Sequence, residues 1–215
     1  METSTNKESR AAFKQNSEDA KKFLAEGFLP LLKKVFFQPL ELNQEFKQGN
    51  TQPQTAVLVL LAGIITTLLP YLSIGKSGRL FIQFKFFLRA GIAVMLTLII
   101  IGILCWGIKK LFQKSTEFQK ELFTGALCAF PLTVVVILIC LLNLIFSGYN
   151  FLGGITYILN GPISSIICVY GFFLMITICF QSLRSVYIKA NTAWYLSPAI
   201  VMVAIYLSYK IVDWF

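Results

Sequence analysis

The sequence predicts an all-α, polytopic integral membrane protein: a five-helix transmembrane bundle behind an N-terminal amphipathic helical tail. Two observations carry this. Hydrophobic residues make up 56% of the 215, above the roughly 45–50% typical of soluble domains. They also gather into five runs, at 55–74, 86–108, 122–146, 163–183 and 194–212. Each approaches or exceeds the length of about 20 apolar residues that a helix needs to cross a bilayer.

The tail comes first. Its opening residues, METSTNKESR, are polar and no apolar core follows them. A cleavable signal peptide is therefore not expected, and the first spanning run serves as the insertion signal. From Phe13 the pattern changes. Phe13, Leu24, Phe28, Leu31, Leu32, Val35 and Phe36 recur at helical spacing, with Lys21, Lys22, Lys33 and Lys34 between them. Pro30 is tolerable as the first residue of a second helix, and Pro39 should end it. The expected placement is in the headgroup region, apolar face down. Packing on the bundle is the alternative. Residues 42–54 (LNQEFKQGNTQPQ) form a polar linker broken by Gly49 and Pro53. The chain thus divides into a tail, 1–54, and a transmembrane domain, 55–215.

Charge sets the orientation. With the N-terminus inside, fourteen Lys and Arg lie on the cytoplasmic side, eight of them along the tail, and five lie outside. That is a positive-inside pattern with the C-terminus outside. Lys76, Arg79, Lys85 and Arg89 oppose it, because they fall outside with no acid among them. The segment 80–88, LFIQFKFFL, is aromatic and basic together. Its simplest role is an interfacial approach with snorkelling cations. The sharper reading makes Arg79, Lys85 and Arg89 contacts for an anionic lipid or polymer.

The net charge of +9 flanks membrane runs rather than a soluble module, so nucleic acid is not an expected partner. There is no histidine, and none of the ten acidic residues falls inside the five runs. Glu117 and Glu121 are assigned to the loop after the second run. Pumps and intramembrane hydrolases usually keep such a group at bilayer depth. No catalytic residue, cofactor or metal site is therefore expected. Cys105, Cys128, Cys140, Cys168 and Cys179 form no CxxC pair and read as small hydrophobes. Cys105, near a run's end, is a minor candidate for acylation. Asn143 is costly to expose to lipid and should bond to a neighbouring helix. Pro131 and Pro198 each free a backbone carbonyl and permit a kink. Trp194, Tyr195, Tyr209 and Trp214 suit aromatic belts at the two ends of the last span.

Three short elements then align. They are Phe36-Phe37-Gln38-Pro39 through Phe46 before the first span, Gly125 to Pro131 opening the third, and Leu183-Arg184-Ser185-Val186-Tyr187 after the fourth. In this arrangement the chain, from about Val35 onward, resembles the Yip domain family (Ypt/Rab-interacting proteins), its bacterial members in particular. The tyrosine often found after the glycine of the third helix is absent. So is the aspartate-rich element of eukaryotic members, and Rab binding is not implied. The resemblance implies an integral membrane protein with an inside N-terminus, acting through membrane or protein partners without catalysis. Fifteen Lys against four Arg suit an AT-rich genome, and a bacterial cell membrane is the expected location. The expected function is a scaffold or accessory subunit with anionic lipids and a membrane-protein partner or second copy. The alternative is a permeation protein for a small neutral, lipidic or anionic solute.

Overall fold

The computed structural model describes residues 14–42, 52–74, 79, 82–112, 117–146, 161–185 and 188–214. The polar start of the chain, most of the linker, Lys76, residues 147–160 and Val186-Tyr187 lie outside the described residues. Among those described, every regular element is helical. Helix α1 (14–22) passes through a π turn (Phe23–Gly27) into α2 (Phe28–Phe37). There follow α3 (Gln52–Ser73), α4 (Phe84–Phe112), α5 (Phe118–Leu127), α6 (Ala129–Phe146), α7 (Pro162–Arg184) and α8 (Ala190–Asp213). With α5 and α6 taken together, five stretches among the described residues are long and apolar enough to cross a membrane.

The five spans close into a ring. α3 packs on α4, α4 on α8, α8 on α7, and α6 joins α7 back to α3. The short α5 packs against α4, α3 and α7 and fills one end of the ring. Close approach there depends on glycine. A Cβ at Gly125 would strike the backbone carbonyl oxygen of Leu98, and the amide nitrogen of Gly102 would lie 3.0 Å from it. Past Leu127 the chain turns at Cys128 and continues as α6. Pro131 sits in the first turn of α6, where its missing N–H is tolerated. Pro70 and Pro198 lie inside helices that continue through them. From Trp194 to Trp214, α8 covers about 30 Å at 1.5 Å per residue, the thickness of a hydrocarbon core.

The tail departs from its expected arrangement in two respects, the course of the helix at Pro30 and packing on the bundle in place of the headgroup region. Pro30 does not start a new helix. The π turn just before it carries the helical path through, with the Phe28 amide donating to the Phe23 carbonyl five residues back. Pro39 does follow the end of α2. One apolar row of the tail joins the bundle core: Phe23, Leu31 and Val35 are buried, and the Phe28 ring lies 5.2 Å from that of Phe130. A second row, Leu29 and Phe37 with Leu24 and Leu40 nearby, stays exposed. The tail therefore packs on protein through one face while keeping a further apolar face outward.

Candidate functional site

The main correction to the sequence reading lies at the α4–α5 junction. The runs at 86–108 and 122–146 leave Lys109 and Glu121 in the polar loop between them, yet both helices extend beyond the apolar runs. α4 continues to Phe112 and α5 begins at Phe118. Lys109 and Glu121 are buried between them and form an ion pair of 2.6 Å, with side chains 1% and 7% exposed. A carboxylate and an ammonium therefore do sit within the spanning helices. Removing both from water costs several kcal/mol per ion, so the surroundings must supply hydrogen bonds.

They do so from α5 and α7. The Lys109 ammonium donates to Ser182 Oγ on α7 at 2.8 Å. The Ser182 and Thr124 hydroxyls bond to each other at 2.7 Å, and Ser182 also reaches Glu121 Oε2 at 3.5 Å. Ser185 Oγ lies 3.5 Å from the ammonium and donates to the Ser182 carbonyl. The node thus ties α4, α5 and α7 at one end of the ring. Beside it the thiols of Cys105, Cys128 and Cys179 are buried. Cys105 is fully buried, so acylation there has no access. Among the described residues no three His, Cys, Asp or Glu side chains are grouped to hold a metal ion.

A cavity of about 610 Å³ lies toward the opposite end. It exists because α6, after the turn at Cys128, packs on α3 and α7, leaving space between α4, α6, α7 and α8. Its walls are apolar, with Ala93, Leu132, Val135, Phe172 and Met175 among them. At its inner end the Thr97 and Ser208 hydroxyls lie 2.6 Å apart; one donates to the other and the second to a carbonyl of its own helix, so neither hydroxyl is left unsatisfied. Its outer end carries Arg89, Tyr209 and Asp213.

The expected lipid contacts separate here. Arg79 caps the end of α3: its guanidinium donates to the carbonyls of Tyr71, Leu72 and Ile74 at 3.1 Å each and stacks on the Tyr71 ring. Lys85 and Arg89 are exposed one turn apart on α4, hence on one helix face. Asn143 sends its amide to the Ser73 carbonyl on α3 at 3.4 Å, a long bond between helices. No family profile, curated protein or solved structure matches the chain.

Proposed function

We propose that this protein is a non-enzymatic membrane adaptor of the Yip type that acts through protein or lipid partners, in a bacterial cell membrane with its N-terminus cytoplasmic. The observation that carries the reading is the two-faced tail. One row is locked into the bundle core, and the other presents Leu29 at 70% and Phe37 at 78% exposure with Lys33 between them. A docked helix with a second apolar row suits a surface that meets something else. The short elements shared with Yip proteins support the same reading.

The test is affinity purification of the full chain in mild detergent, followed by reconstitution. A stoichiometric partner that co-elutes, and is lost when Leu29→Asp and Phe37→Asp are combined, is the expected result. Absence of any partner, together with solute flux across the reconstituted vesicles, would overturn it in favour of permeation. The cavity beside α4 is the observation that favours that second reading. The proposed orientation has its own check. A periplasm-dependent reporter fused after Phe215 should be active, and activity of a cytoplasm-dependent reporter there would reverse the topology.

A further inference from the structure

The cavity between α4, α6, α7 and α8 has an unusual combination of parts. Its volume of about 610 Å³ falls in the roughly 300–1,000 Å³ range of small-molecule sites. From Arg89 to Thr97 it follows α4 for about 12 Å at 1.5 Å per residue. That length is apolar and lies within the spanning helices. Its outer end then presents one cation and one anion, Arg89 and Asp213. Both are exposed, and among the described residues neither has an ion-pair partner, including each other. An apolar channel filled by a hydrocarbon chain and ending in opposite charges matches one chemistry. The ligand has an acyl chain and a headgroup carrying both a phosphate and a primary ammonium.

We infer that this cavity binds the acyl chain of an amino-phospholipid of the phosphatidylethanolamine class, with Arg89 on its phosphate and Asp213 on its ammonium. A guanidinium grips phosphate oxygens through paired N–H donors. A carboxylate accepts from the three ammonium hydrogens. Lys85, one turn from Arg89, adds positive potential on the phosphate side. Tyr209 supplies an amphipathic ring at the rim. A purely anionic headgroup would satisfy Arg89 and be repelled by Asp213. A quaternary ammonium would offer Asp213 no hydrogen to accept. The inference stands apart from the adaptor reading, because the tail contributes no residue to this site.

Cys168 makes the cavity measurable. It lines the cavity and is exposed, whereas the other four thiols are buried. The experiment is the rate of N-ethylmaleimide reaction with Cys168 in delipidated full-length protein. Dioleoyl phosphatidylethanolamine, phosphatidylglycerol and phosphatidylcholine are added in turn. Phosphatidylethanolamine should slow the reaction at the lowest concentration. Arg89→Gln and Asp213→Asn should each raise that concentration about fivefold, taking about 1 kcal/mol for one charge near a headgroup. Ala93→Phe, which fills the channel and leaves both charges in place, should abolish lipid protection. Equal protection by phosphatidylglycerol would overturn the assignment to an amino-phospholipid. Protection by glycerophosphoethanolamine alone would overturn the acyl-chain assignment. No protection by any lipid would remove the site. Should Ala93→Phe fail to fold, Arg89→Gln and Asp213→Asn still decide the case, because both lie on the surface.

Discussion

Glu121→Gln should destabilise the bundle by about 3–5 kcal/mol, because it leaves the Lys109 ammonium buried without its counter-charge. The amide keeps the shape of the side chain, so the loss is electrostatic rather than steric. A reversible unfolding titration in mixed micelles, read by circular dichroism, gives the number. The paired change Lys109→Met with Glu121→Leu should restore most of the loss or exceed the original stability, since two well-packed apolar side chains carry no desolvation penalty. A Glu121→Gln variant as stable as the unaltered protein would mean that the pair is hydrated in the membrane and is not the clamp described above.

Gly125 has the second large effect. Gly125→Val should cost about 1–3 kcal/mol or more, because its side chain would be driven into the Leu98 carbonyl and the Gly102 amide, both rigid backbone. Even Gly125→Ala should destabilise, although alanine favours a helix interior over glycine by about 1 kcal/mol. Gly107→Ala provides the matched control. No heavy atom lies within 4 Å of a Cβ there, so this variant should gain stability. The same unfolding titration reports all three. A stable Gly125→Ala variant would show that α5 can move away from α4 at little cost.

The spans were legible because a bilayer imposes a length and a composition that few other environments do. Their ends were not, because charge was taken as a loop signal. Lys109 shows how the signal could have been read. Leu98, Ile101, Cys105 and Lys109 are separated by three, four and four residues, and all are buried. Lys109 thus continues the inward face of α4 past the end of its apolar run. Glu121, Thr124 and Cys128 do the same for α5. Helical register, carried across the charges, places two opposite charges on facing surfaces. Ser182 could not be found this way, because its partners lie 58 and 73 residues away in the chain. The tail's inward row was visible as periodicity. Its docking on Phe130 was not, because an amphipathic pattern does not say whether lipid or protein covers it.

The turn at Cys128 also divides the third span by mechanical role. The α5 side carries Glu121 and Thr124, which are cross-braced to two other helices, and Gly125, which is wedged against backbone. The α6 side borders the cavity through Leu132 and Val135, and Val135 also packs closely on Gly171 of α7. The two parts of this span are therefore held by different means. The first is fixed by directional polar bonds and by backbone contact at Gly125, the second mainly by apolar packing on α3 and α7 beside the cavity.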